Sequence, residues 1–218
     1  MLHRTPPMQY PIPMATKKKP AARPAAKKSA PNNPSKTKAR VLSSKLSFKG
    51  NVFSVYTDDI IEPGNIRTKK DVIRHNGSVV VLAVDDSVKD PLIIVERQYR
   101  HAAGQFLLEL PAGRVEPGES TLAAAKREMI EETGYRARKW SLLVKYFASP
   151  GFLGEWMQIY LARDIREGAA QPEPDEKIEI FRMPLSQLLA LAENGQIHDG
   201  KTLVALFLYQ AGRKAGRF

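Results

Sequence analysis

No cysteine occurs among the 218 residues, which excludes disulfides and thiolate metal sites alike. That fits a reducing compartment, and a cytoplasmic protein is the expectation. No apolar run approaches the roughly 18 residues that a membrane span needs. The apolar core of a secretory signal is missing as well. Acidic residues are absent from the first 50 positions, which carry twelve Lys or Arg. The whole chain has a formal net charge of +11, so subtracting those twelve leaves −1 for residues 51–218. The basic character belongs to one end. A nucleic-acid-binding domain with its own basic face is therefore not indicated.

What the chain does have is divided in two. Residues 1–45 are rich in Pro, Ala and Lys, offer little to bury and are expected to form a disordered basic tail. Such a tail can tether the protein to nucleic acid or polyphosphate, or serve as a solubilising leader. With 43% hydrophobic residues overall, the remainder can bury one core, so one domain is expected over 46–218.

Along that domain, residues 52–56 alternate like a strand and 63–65 (Pro-Gly-Asn) read as a turn. Residues 72–75 read as a short strand leading into Asn76-Gly77, a hairpin-type turn. The β-branched run 78–84 has the character of a strand buried on both faces. Further strands are expected at 92–99, 140–147, 156–162 and 177–183, with a mobile acidic connection over 167–176. Ser120 is the expected N-cap of a helix reaching Thr133, with Gly134 at its C-cap and Leu122, Ala125 and Met129 as its buried stripe. Two helices close the chain, one over 185–193 and one capped by Asp199. Strands, a helix, more strands and two helices make a layered α+β domain. His75 and His101 each stand alone, so surface or hydrogen-bonding roles are expected for both.

The 120–134 helix carries an unusual charge cluster. At about 100° per residue, the step from Glu128 to Glu132 passes a full turn by about 40°, and the step to Glu131 falls about 60° short. All three carboxylates share one face and repel one another. A solvated acidic face is the plain reading. A multivalent cation is the chemical remedy, and all-oxygen ligation suits Mg²⁺ or Mn²⁺.

The wider spacing decides between these. Gly113 is followed after five residues by Glu119, and after seven more by Arg127-Glu128. Then come Met129, one residue, Glu131-Glu132, one residue, and Gly134-Tyr135. This resembles the Nudix box, G-x₅-E-x₇-R-E-U-x-E-E-x-G-U, at every fixed position. Only the two U positions are loose. Seven fixed residues at ordinary usage coincide by chance on the order of 10⁻⁸ per starting point.

The resemblance implies the Nudix fold: α+β, a mixed β-sheet sandwiched between α-helices (α/β/α). It also implies metal-dependent hydrolysis of a nucleoside diphosphate linked to another group. The flanks resemble the ADP-ribose pyrophosphatase branch: Glu109-Leu-Pro-Ala-Gly113, Arg97-Gln-Tyr-Arg100, Pro150 sixteen residues after Gly134, and Ile197-His-Asp-Gly-Lys-Thr-Leu203. The expected reaction is hydrolysis of ADP-ribose to AMP and ribose 5-phosphate. Another nucleotide sugar such as GDP-mannose is the alternative substrate, and a nucleic-acid-binding regulator on the same fold is the reading from another class.

Site roles follow from the same resemblance and from the chemistry of a charged diphosphate. Glu128 and Glu132 are expected as direct metal ligands, Glu131 as a third or shared one, and the Ala112 backbone carbonyl completes the set. The metal is expected to be Mg²⁺, with Mn²⁺ as a substitute. Arg127 orients a carboxylate of the box, and Glu155 after the Ser149-Pro-Gly151 loop is the expected general base. Arg100 is a candidate phosphate clamp, because a guanidinium matches phosphate oxygens as a fork. Glu109 is a candidate ribose or adenine contact, and Phe152 a candidate stacking partner for the base. A homodimer that completes the substrate site across its interface is implied too.

Overall fold

The computed structural model describes residues 38–171 and 177–218. The basic segment expected over 1–45 lies outside the described residues up to position 37. Its last residues depart from the expectation, because a strand, β1 (Arg40–Lys49), already includes them. β1 pairs antiparallel with β2 (Ser54–Glu62), which supplies the acids that the basic end lacks. Ser44 Oγ donates to Asp58, and Ser47 and Thr57 hydroxyls meet at 2.8 Å. Cross-strand polar pairs of this kind, and not apolar burial, recruit the segment into a sheet.

β3 (Ile66–Arg74) completes an antiparallel sheet of order β1-β2-β3, its turn closed by Gly64 and Asn65 at positive φ. The next strand, β4 (Ser78–Asp85), does not fold back on β3. Asn76-Gly77 is thus a crossing between two sheets and not the expected hairpin. Gly77 has φ +91°, and a Cβ there would lie 2.4 Å from the Trp156 ring. Positive φ and close approach both demand glycine, which is why the residue mimics a hairpin signal.

The second sheet contains β4, β5 (Leu92–Arg100), β8 (Arg136–Phe147), β9 (Trp156–Arg166) and β10 (Ile178–Pro184) in the order β10-β5-β4-β9-β8. Short strands β6 (Gln105–Glu109) and β7 (Ala112–Arg114) add to β5 and β4. β4 and β9 run parallel and the other pairs antiparallel, so the sheet is mixed. β4 is buried on both faces, as its β-branched run predicts. Val79, Val81 and Ala83 face α1 (Thr121–Thr133), whereas Val80, Leu82 and Val84 face α2 (Leu185–Glu193) and α3 (Gly200–Lys214). Burying one such aliphatic side chain is worth about 1.5–3 kcal/mol, so this central strand anchors both layers.

Helix α1 buries Ala124, Ala125 and Met129, with Leu122 only partly covered. The expected stripe of Leu122, Ala125 and Met129 thus packs against the sheet, with Ala124 buried beside it. Of the acidic connection expected over 167–176, residues 172–176 lie outside the described residues. Its start is held to α1 by the Gln171 N–H, which donates to the Glu131 carbonyl at 2.9 Å. Among the described residues no helix is long and apolar enough to cross a membrane.

Candidate active site

The site is built on α1. Ser120 Oγ accepts the Ala123 N–H at 3.2 Å, and Gly134 closes the helix at φ 74°. An N-cap of this type stabilises by about 1 kcal/mol, and it also sets where the helix begins. The carboxylates of Glu128, Glu131 and Glu132 consequently face a cavity of about 670 Å³. Its other walls come from the β1–β2 link with Val52 and Phe53, from Arg74 to Asn76 after β3, from Arg100, and from β7.

Arg127 is the electrostatic hub. Its Nε and Nη2 bond Glu119 at 3.1 and 3.0 Å, and its Nη1 bonds Glu128 at 2.8 Å and Glu131 at 2.9 Å. Nη2 also donates to the Arg114 carbonyl at 3.1 Å. One guanidinium thus ties three carboxylates of the box to β7. An isolated helix-surface pair would contribute only about 0.3–0.5 kcal/mol, but this arrangement fixes geometry on several sides at once. The Glu119 bond, followed by the Glu128 charge and the Glu131 bond, holds the Arg127 pKa far above its ordinary value against the cost of burial. Reciprocally, the Arg127 bond draws the Glu119 carboxyl below its usual range.

Glu132 is buried, and its Oε2 accepts the Ala112 N–H at 3.0 Å. Ala112 therefore lies beside the acidic face, in contact through its N–H. Glu128 closes against Gly113, whose missing side chain makes room for the carboxylate. Among the described residues no three acidic or imidazole side chains converge on one point. The reason is visible: Arg127 draws Glu128 and Glu131 to itself, and the Ala112 N–H draws Glu132. The donors are all oxygen, are carried on a rigid helix and line a cavity. That set fits a hard divalent cation.

Arg100 and Glu109 come together through the β5–β6 pair. Arg100 Nε donates to Glu109 Oε1 at 2.7 Å. Arg100 reaches the cavity, but Glu109 is only 1% exposed and does not line it. The other Glu109 oxygen meets the Lys201 ammonium, which also lies 3.1 Å from Asp199. Burial disfavours the Arg100 charge, yet the Glu109 bond and the charges of Glu109, Glu96 and Glu132 outweigh it and raise its pKa.

Glu155 stands apart from the cavity wall. Its Oε1 accepts Ser78 Oγ at 2.6 Å and lies 3.8 Å from His75 Nδ1. His75 lines the cavity and its Nδ1 accepts the Gly77 N–H at 3.0 Å, so it has the hydrogen-bonding role expected of it, whereas His101 is exposed. The loop before Glu155 is clipped to β3: the Ile73 N–H donates to the Phe152 carbonyl at 2.8 Å, and the Gly154 N–H to the Ile73 carbonyl at 2.9 Å. The Phe152 ring is exposed and outside the cavity wall. The structure thus gathers Arg127, Glu128, Glu131, Glu132, Ala112 and Arg100 at one cavity, whereas Glu109, Glu155 and Phe152 are not among its lining residues.

Residues 74–206 match the NUDIX domain. This chain belongs to the NUDIX family. The Nudix hydrolase is 35% identical over 161 residues to the ADP-ribose pyrophosphatase of Bacillus subtilis (strain 168), covering 73% of this chain and 85% of that protein. It is 34% identical over 158 residues to the GDP-mannose pyrophosphatase of Citrobacter koseri, covering 64% and 80%. Its fold superposes on a crystal structure of an ADP compounds hydrolase with TM-score 0.70 and 26% identity, covering 84% of this chain and 98% of the other. Nudix hydrolases work with a divalent metal ion, and the donor set of this one suits that chemistry.

Three residues of this hydrolase's site escaped sequence reasoning: His75 as a cavity wall, Ser78 as a partner of Glu155, and Lys201 as a partner of Glu109. Ser78 lies 77 positions from Glu155 and Lys201 lies 92 from Glu109. Spacing carries no signal at such separations. The stretch 197–203 stood out only as a resemblance, without a role for its lysine.

Proposed function

We propose that this Nudix hydrolase cleaves ADP-ribose with water to AMP and ribose 5-phosphate, using Mg²⁺ or, as a substitute, Mn²⁺. One cavity lined both by the acidic face of α1 and by Arg100 carries this reading. The diphosphate is anionic and would otherwise be repelled by Glu128, Glu131 and Glu132. Those carboxylates, with the Ala112 carbonyl, would hold the metal. Bound there, the ion supplies neutralisation of the diphosphate and orientation of the attacking water. Arg100 clamps a phosphate through its guanidinium fork. Arg127 keeps Glu128 and Glu131 in register. Glu155 leaves Ser78 to accept a proton from the water, as the bond from water oxygen to phosphorus forms and the bridging P–O bond breaks. Glu109 acts through Arg100 and not on the ribose or adenine, because it is buried against two cations. Phe152 can meet a base only if its loop moves from β3.

A homodimer in the cytoplasm belongs to the same reading. Every residue of β1 is exposed, including Val41, Leu46 and Phe48, so this strand carries uncovered apolar side chains next to the β1–β2 link that walls the cavity. A second copy of the same face would cover it. Sedimentation of the full chain beside a Phe48→Glu variant checks this, and a monomer at all concentrations would remove the dimer.

GDP-mannose is the second candidate substrate, favoured by the similarity to a GDP-mannose pyrophosphatase. Measuring kcat/KM for ADP-ribose, GDP-mannose and UDP-glucose with and without Mg²⁺ separates the two. A strong preference for a sugar nucleotide other than ADP-ribose overturns the leading substrate. Salt-sensitive nucleic-acid binding with no Mg²⁺-dependent turnover would point instead to a regulator.

A further inference from the structure

Lys201 is a cation in an unusual place. It opens α3, is only 9% exposed at its side chain, and is not among the residues that line the cavity. Its ammonium sits between Glu109 and Asp199, and Asp199 is itself engaged as the helix cap through the Thr202 N–H at 3.0 Å. A lysine on a helix surface has no reason to be covered like this. A buried carboxylate that faces two cations does give it one.

Glu109 divides its two oxygens between them. Oε1 takes Arg100 Nε at 2.7 Å and Oε2 takes Lys201. With its second oxygen occupied by Lys201, Glu109 takes Arg100 through Nε, while the guanidinium also feels the charges of Glu96 and Glu132 and reaches the cavity wall. A guanidinium has five donors, and side-on capture of Nε and one Nη by both carboxylate oxygens would turn its plane toward Glu109 and take one of the donors a phosphate can use. We propose that Lys201 is a positioning residue that occupies the second oxygen of Glu109 and so keeps the Arg100 fork presented to the substrate diphosphate. Asp199 holds the ammonium from behind and itself accepts from Thr202 Oγ1, which also accepts the Leu110 N–H at 2.9 Å and so ties α3 to the strand end that carries Glu109. The inference rests on the reading of Arg100 as the phosphate clamp.

Its consequence is specific. Without the ammonium, Glu109 and Asp199 carry uncompensated charge beside Arg100, and the guanidinium turns inward to satisfy both Glu109 oxygens. Substrate binding weakens while the chemical step keeps its own residues. Neutralising Glu109 in the same chain removes the pull and lets the fork return.

Steady-state kinetics of the full chain on ADP-ribose with Mg²⁺ test this with four proteins: wild type, R100A, K201M and the double variant E109Q/K201M. K201M should raise KM about tenfold, the scale of one charge-assisted contact, with kcat within about twofold. The double variant should bring KM clearly below that of K201M. If R100A raises KM but K201M leaves it unchanged, or lowers only the Tm, Lys201 is structural and the proposal is wrong. If R100A itself leaves KM unchanged, the clamp reading fails instead. Should K201M not fold, the double variant alone decides: KM clearly below that of R100A supports the proposal, and KM as high as that of R100A overturns it.

Discussion

The Glu128 carboxylate fills the space that any side chain at position 113 would need: a Cβ on Gly113 would stand 2.0 Å from the carboxyl carbon and from Oε1. The atoms met are the end of a flexible side chain, so Gly113→Ala moves Glu128 and spares the fold. We expect an unchanged circular-dichroism melt and a fall in kcat of about 10²-fold, the usual cost of an ångström-scale misplacement. Full activity would mean that the Glu128 position is not critical.

Glu132→Gln retains an oxygen that can accept the Ala112 N–H but removes the charge. Turnover should be abolished with the melting temperature little changed. Retained Mg²⁺-dependent activity would take Glu132 out of the metal site.

Glu155→Gln keeps an acceptor for Ser78 Oγ and loses the base. We expect kcat to drop by about 10²–10⁴-fold, the usual contribution of a general base, with KM nearly constant. A kcat close to wild type would send the search for the base elsewhere, beginning with the acidic face of α1.

Asp58 joins β1 to β3, accepting from Ser44 and from Arg74 at 2.9 Å. The Ser44 bond, opposed by desolvation and reinforced by Arg74, holds its carboxyl below the usual range. A depressed folded pKa stabilises the sheet above the unfolded value, and that stability is lost as pH falls through the folded value. Hydrogen exchange of β1 amides should therefore speed up below about pH 4, near the ordinary carboxylate pKa. In Asp58→Asn this acid dependence should vanish.

Deleting residues 1–37 should leave kcat nearly unchanged, because the described fold begins with β1 at Arg40. Extending the deletion through Lys49 removes β1 and should weaken self-association in sedimentation. A large activity loss from the shorter deletion would make the basic segment part of the working enzyme.

Much of this protein was legible along the chain because the signals are local. Ser120 and Gly134 delimit α1 within a residue, since capping is chemistry between near neighbours. The spacing of Glu128, Glu131 and Glu132 placed the carboxylates on one face, since helical geometry links residues a turn apart. The β-branched run of β4 announced burial on both faces. Tertiary structure alone decided the rest. Asn76-Gly77 is a sheet crossing because Trp156, 79 positions later than Gly77, packs where a Cβ would be. β1 is a strand because its acidic partners lie on β2. Glu109 is buried between Arg100 and Lys201, a pairing set by the approach of α3 and not by spacing along the chain. The box by itself determined what chemistry this chain is equipped for. Which charges face the substrate and which merely hold them was decided by contacts between residues far apart in sequence, and their pairing depends on how the layers pack.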